Sequence, residues 1–176
     1  MKKLFEEIPH CEGDRVTLKK VSMADADALE RMVQNENVYC YLPATLYERS
    51  NDDVHYIIDN LYTEAFRDSI IMGIYVLGDF CGLAEFYAYN DALHKVSVGY
   101  RLLEEYWYKG IATEALGLMI DYLENETDIE IITASTMVDN QASANVLMKN
   151  GFVLVNSFVN EDWGYPEPTL TDKWLR

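Results

Sequence analysis

The twelve residues Glu105–Leu116, EYWYKGIATEAL, decide how this chain is read, because they end one strand, turn through a glycine and open an amphipathic helix. A helix start leaves backbone N–H groups without intrahelical acceptors, and the helix dipole adds partial positive charge at the same end. Gly110 has no Cβ, so an anion could come close to the main chain there, and the stretch is built like a phosphate site. Counted from Ile111, apolar residues recur at Ala115, Leu118, Met119 and Tyr122, while Glu114, Asp121 and Glu124 lie largely elsewhere around the helix. The helix is therefore expected to be buried along one stripe, with its start aimed at a ligand.

Upstream of that helix, Val16–Lys19 reads as a first strand. Ser22 with Asp25 forms a helix start signal, and Ala28, Leu29, Met32 and Val33 continue its stripe. Ser50 with Asp53 repeats the signal, so Val54, Ile57, Ile58, Leu61, Tyr62 and Ala65 predict a second helix, reached through the aromatic loop Tyr39 to Tyr47. Three β-rich runs follow, Ile70–Leu77, Phe80–Tyr89 and Lys95–Leu102, with turns at Gly78-Asp79 and Asn90-Asp91. After the glycine-led helix come a strand over Ile129–Val138, a helix over Gln141–Asn150 and a strand over Phe152–Phe158. Alternation of this kind implies right-handed crossovers and a parallel pair. The expected class is α+β, or mixed α/β, with an antiparallel front half. Asn140 is placed as the N-cap of the later helix, and Leu147, Gly151 and Phe152 have the spacing of a Schellman ending.

A chain of 176 residues, 49% hydrophobic and without internal repeat or linker, predicts one domain over residues 1–176. The opening MKKLFEEIPH carries acids where a signal peptide would carry an apolar stretch, and no segment reaches the roughly 18 apolar residues of a membrane span, so a soluble cytoplasmic protein is expected. Cys11, Cys40 and Cys81 are too scattered for a disulfide framework or a clustered zinc site, and no metal is expected. The net charge of -16 makes duplex nucleic acid a poor partner and an amine or basic peptide a better one, although acidity also serves solubility alone.

The chain resembles the GNAT superfamily of acetyl-CoA-dependent N-acetyltransferases, in particular its RimJ/RimL-like ribosomal-protein branch. The family's Gln/Arg-x-x-Gly-x-Gly/Ala loop falls on Trp107, Tyr108, Lys109, Gly110, Ile111 and Ala112, with Thr113 following. Trp107 replaces the usual Gln or Arg, and Tyr108 stands where the branch favours an extra glycine. A second element, Asn-x-x-Ser-x-x-Val-Leu-x-x-x-Gly-Phe, is matched by Asn140, Ser143, Val146, Leu147, Gly151 and Phe152. The resemblance implies a GNAT-like fold: a mostly antiparallel central sheet flanked by helices, in which Lys95–Leu102 and Ile129–Val138 run parallel but splay apart around the pantetheine arm. It implies backbone contacts to that arm from Tyr100, Arg101, Leu102 and Leu103, and it makes Asn140 a further cofactor contact. Arg101, Lys109 and Lys149 are the basic side chains expected nearest the cofactor phosphates.

Acetyl transfer requires a neutral amine, an acceptor for its proton and help for the departing thiolate. At pH 7 an α-amine costs only about 1.4 kcal/mol to deprotonate, against about 4.6 for a lysine amine. Glu85 is the first candidate base, as a carboxylate sharing a strand face with Leu83 and Tyr87, and a plain solvent-facing role competes with it. Glu161 and Asp162 in the loop NEDWGYPEP are its rivals. Many family members carry a tyrosine where this chain has Leu147; the resemblance to the RimL-like branch, in which the serine of Asn-x-x-Ser is the alternative, implies Ser143 as donor to the thiolate. Satisfying the first helical turn is its competing role. His10, His55 and His94 receive none. The expected reaction moves acetyl from acetyl-CoA directly to a primary amine, with a protein N-terminus preferred. A polyamine or aminoglycoside-like acceptor, or a non-catalytic acyl-CoA-binding module, is the alternative. A homodimer is possible.

Overall fold

The computed structural model describes residues 3–176. The first half holds β1 (Cys11–Glu12), β2 (Val16–Lys19), α1 (Ala26–Val33), α2 (Glu36–Tyr39), α3 (Val54–Asn60), β3 (Ile70–Val76) and β4 (Asp79–Asn90). The second holds β5 (Lys95–Leu102), α4 (Ile111–Glu126), β6 (Ile131–Met137), α5 (Gln141–Lys149), β7 (Val153–Glu161) and β8 (Thr169–Leu175). All eight strands form one sheet in the order β1-β2-β3-β4-β5-β6-β8-β7. Every neighbouring pair is antiparallel except β5 with β6. The mixed α/β, mostly antiparallel arrangement expected from the sequence is thus observed.

Strand alternation divides the core in two. Met72, Ala84, Phe86 and Val98 pack with Ala115, Leu116 and Met119 of α4 and Leu147 of α5. On the other face Ile71, Tyr75 and Leu83 pack with Leu29 of α1 and Ile57 of α3. The Schellman ending of α5 forms as its spacing predicts: Gly151 has φ 80°, its N–H bonds to the Met148 carbonyl, and the Phe152 N–H bonds to the Leu147 carbonyl.

Several local expectations shift. Asp53, not Ser50, caps α3, accepting from the N–H groups of His55 and Tyr56. That helix stops at Asn60, where the Asn60 side-chain amide bonds to the Tyr56 carbonyl and the Asn60 carbonyl accepts from the Thr63 hydroxyl and the Glu64 N–H. Leu61 and Ala65 remain buried although outside it. The hairpin turn is Leu77-Gly78, one residue before the expected Gly78-Asp79. Both of its residues have positive φ (51° and 89°), as the tightest turns between twisted strands require. The strand expected to end at Phe158 runs on to Glu161. β8 inserts between β6 and β7, fastened to β6 by the Trp174 indole on Thr136 Oγ1 at 2.9 Å. Among the described residues no helix is long and apolar enough to cross a membrane.

Candidate active site

The start of α4 carries bare amides. Gly110 stands at its N-cap with φ 78°, and the N–H groups of Ile111, Ala112 and Thr113 have no acceptor among the described residues. Glu114 faces away from this opening and ties it to β2, accepting from the backbone N–H groups of Arg15 (2.7 Å) and Val16 (2.9 Å) and from Arg15 Nε (3.0 Å). Burial pushes the Glu114 carboxyl up, but those two amides and the guanidinium outweigh it and hold the group below the usual glutamate range. Arg15 Nη1 also bonds to the Lys109 carbonyl at 3.1 Å, which fixes the loop from behind. Tyr108 adopts φ 58° and is 92% exposed. The position where the resemblance expects a glycine therefore does have the backbone shape that favours one. Trp107 does not extend toward an anion: its indole N–H closes on the Leu102 carbonyl at 2.8 Å, and its ring packs between the two halves of the core.

β5 and β6 are paired only over Lys95–Ser97 and Ile131–Thr133. The pairing ends at a hydrogen bond between the Ser97 and Thr133 hydroxyls, 2.8 Å apart, and beyond it each strand follows its outer neighbour. The Leu103 N–H donates to the Cys81 carbonyl, so by antiparallel alternation residues 97, 99 and 101 also bond toward β4. Val98 and Tyr100 are left with main-chain groups facing the gap. This narrows the backbone contacts expected of Tyr100, Arg101, Leu102 and Leu103. The amides of Arg101 and Leu103 are turned to β4, and the Leu102 carbonyl is taken by Trp107.

Across the gap lies the start of α5. Asn140 caps it, its side-chain oxygen accepting the Ser143 N–H at 3.1 Å. That bond leaves the Ser143 hydroxyl free of helix duty, and Ser143 Oγ lies 2.9 Å from the Tyr100 phenol oxygen. The phenol is also within 3.3 Å of the Ser143 carbonyl. Burial raises the Tyr100 pKa, so it stays a protonated donor through the neutral range. Leu147 is buried in the core.

Next to Tyr100 on β5, the expectation for the Arg101 side chain fails. The residue is 5% exposed and its guanidinium is held by carboxylates rather than free for phosphates. Nε and Nη2 make a two-point contact with Glu48, each bond 2.6 Å, and Nη1 bonds to Glu85 Oε2 at 2.7 Å. Burial works against the charge of Arg101, but the two carboxylates outweigh it and hold the guanidinium protonated. Glu85 is accordingly not a solvent-facing residue; it is 9% exposed and lines the gap. Glu48, fully buried, was not foreseen. It sits in the charged run YERSNDD, where nothing local separates it from a surface acid. Glu161 lines the same space but is tied to Lys173 and to the Trp163 indole. Its carboxyl is pulled below the usual range: burial alone would raise it, and Lys173, Thr171 and Trp163 outweigh that. Asp162 instead caps its own turn, accepting the Gly164 N–H at 2.9 Å.

These parts line one cavity of about 850 Å³, from Gly110–Thr113 past Val98–Leu102 and Ser143 to Glu85, Glu161 and Trp163. Lys149 also borders it, whereas Lys109 holds its ammonium 5.8 Å from the centre of the Tyr106 ring. Unpaired helix-start amides at one end and unpaired strand groups in the middle suit a diphosphate followed by an amide-bearing arm.

Residues 15–153 match the profile of the Acetyltransferase (GNAT) domain family. The chain belongs to the GNAT family. It is an acetyl-CoA-dependent N-acetyltransferase. Sequence relatives include the uncharacterized N-acetyltransferase YoaA of Bacillus subtilis (strain 168), 27% identical over 148 residues and covering 82% of each protein. The uncharacterized N-acetyltransferase p20 of Bacillus licheniformis is 29% identical over 143 residues, covering 79% of each. Among solved structures, a GNAT acetyltransferase from Bacillus anthracis superposes with a TM-score of 0.80 at 19% identity, covering 96% of this chain and 98% of that one. The RimL ribosomal L7/L12 alpha-N-protein acetyltransferase in complex with coenzyme A gives 0.79 at 17% identity, covering 96% and 97%. The spermidine N-acetyltransferase of Vibrio cholerae, in complex with CoA and spermine, gives 0.77 at 16% identity, covering 93% and 96%. These three structures share the fold of the present chain.

Proposed function

We propose that this N-acetyltransferase acetylates the α-amine of a protein N-terminus, in the manner of the RimJ/RimL-like branch, by direct attack within a ternary complex. The observation that carries the reading is Oε1 of Glu85, which has no hydrogen-bond partner among the described residues, in a residue lining the cavity that the bare amides of α4 and Ser143 also line. The amine nitrogen attacks the thioester carbon, the C–N bond forms and the C–S bond breaks. Glu85 takes the amine's proton, and Ser143, backed by Tyr100, gives a hydrogen bond to the departing thiolate. Val98 and Tyr100 hold the pantetheine arm through the main chain, and the amides of Ile111–Thr113 hold the diphosphate.

The acceptor end supports a chain terminus over a bulky surface. The Ala44 N–H donates to the Trp163 carbonyl at 2.8 Å and the Tyr165 phenol to the Leu42 carbonyl at 2.7 Å, so two loops join into an arch beside Glu85 and Glu161. A narrow arch passes an extended end more readily than a side chain on a folded surface. The same two acids favour a polyamine as the second reading, which the Vibrio cholerae neighbour's spermine complex illustrates. Three free cysteines suit a reducing, cytoplasmic setting. The reading extends to one catalytic domain per chain and to pairing of two copies along β7.

The test follows release of free CoA from acetyl-CoA with N-terminal peptides, the same peptides blocked at the α-amine, spermidine and an aminoglycoside. Turnover with the unblocked peptides alone is expected. Turnover confined to spermidine transfers the assignment to small amines, and acetyl-CoA binding without turnover on any amine replaces it with a sensor.

A further inference from the structure

The buried cluster Glu48–Arg101–Glu85 has a charge count that pairing alone does not explain. Two carboxylates and one guanidinium leave one negative charge in a site where Glu48 is 0%, Arg101 5% and Glu85 9% exposed. Burying an ionised group is costly unless it is paired, and a single carboxylate would have neutralised Arg101. Glu48 is the better placed of the two: both its oxygens are taken by Arg101 in a two-point contact, and Oε1 also accepts from the Tyr39 phenol at 3.2 Å. Glu85 shares only Oε2 with Nη1, its Oε1 has no hydrogen-bond partner among the described residues, and the residue lines the cavity. Glu48 therefore uses up the guanidinium charge, and Glu85 keeps its own.

We propose that Glu48 is a positioning residue for the acceptor amine. By clamping Arg101 it leaves the Glu85 carboxylate, held at a fixed angle by Nη1, with an uncompensated negative charge that the incoming ammonium completes. This rests on the reading of Glu85 as the group that meets the acceptor. Glu48 touches neither substrate, so its effect passes entirely through Arg101. It lies in the 3-10 turn Tyr47–Arg49, directly after the loop that forms one side of the arch, so the clamp also seats that wall against β5.

The charge count gives an unusual mutational order. Glu48→Gln leaves the cluster neutral, whereas Glu48→Gln with Arg101→Gln restores the single negative charge on Glu85. Kinetics on the full chain, with acceptor and acetyl-CoA varied separately, are expected to show the acceptor KM of E48Q raised about tenfold or more. The dissociation constant for acetyl-CoA should stay within about twofold, because the Arg101 guanidinium is held by carboxylates and the diphosphate is assigned to the α4 amides. The double variant should recover at least about threefold of the lost acceptor KM, and Glu48→Asp, which retains the charge, should lie within about threefold of wild type. A purely structural role predicts the opposite order, with the double variant no better than the single. An unchanged acceptor KM in E48Q, or a double variant no better than E48Q, overturns the proposal. If E48Q does not fold, the double and Asp variants decide: an acceptor KM within about threefold of wild type in both supports the charge count, and a larger rise in either folded variant overturns it. Failure of the wild-type enzyme to turn over any amine would instead remove the underlying reading of Glu85, so the two failures are distinguishable.

Discussion

Ser143 is the residue at which a local role and a chemical role separate most cleanly. Its N–H serves the helix cap while its hydroxyl meets Tyr100, so removing the hydroxyl leaves the cap intact. Ser143→Ala is expected to lower kcat about ten- to a hundredfold, with the KM for acetyl-CoA changed by less than about threefold, as read from steady-state CoA release. An unchanged kcat would take Ser143 out of the chemistry. Single residues were unevenly legible in the sequence. Gly110 and Gly151 announced their positive φ because the turns that need it are local. Arg101 was misassigned because a basic residue near a phosphate loop has the same sequence signature whether it faces phosphates or buried acids. Glu48 was missed because only tertiary burial distinguishes it from the neighbouring acids.

Among the elements, the start of α4 is joined to β2 by one carboxylate. Glu114 holds two amides and the Arg15 guanidinium, and its side chain is 19% exposed. Because its folded pKa lies below the ordinary value of 4.5, its contribution to stability is complete above that value and is lost as pH falls below it. Glu114→Gln should lower stability at pH 7 by about 1–2 kcal/mol and flatten the loss of stability below about pH 4.5, measured by urea unfolding across that range. Parallel acid limbs in the two proteins would contradict this linkage. The helices and most strands were legible because their periodicity and caps are local. The shortened α3 was not, because the apolar stripe continues past its end, where the side chains of Asn60 and Thr63 bond to the backbone. The place of β8 was not either, because strand order depends on non-local pairing that no residue pattern encodes.

At the scale of the whole molecule, the two edges of the sheet differ. β1 is two residues long and is followed by Asp14 and Arg15, whereas β7 is nine residues long, carries its first charge only at its last residue, Glu161, and exposes Val153, Val155 and Phe158. A chain carrying -16 repels its copies over most of its surface, which leaves this uncharged edge as the place where two can meet. Light scattering is expected to give twice the chain mass, and Val155→Lys with Phe158→Lys to return a monomer; a wild-type monomer at high concentration would dismiss the pairing. The insertion of β8 also bears on the acceptor wall. β7 reaches the sheet only through β8, so the wall formed by Glu161 and Trp163, at the end of β7 and just beyond it, stands only once β8 is seated on β6. Closing the sheet and raising the acceptor wall are then a single event. A loosened grip of Trp174 on Thr136 would be felt at the amine's doorway before it was felt in the donor's half of the cleft.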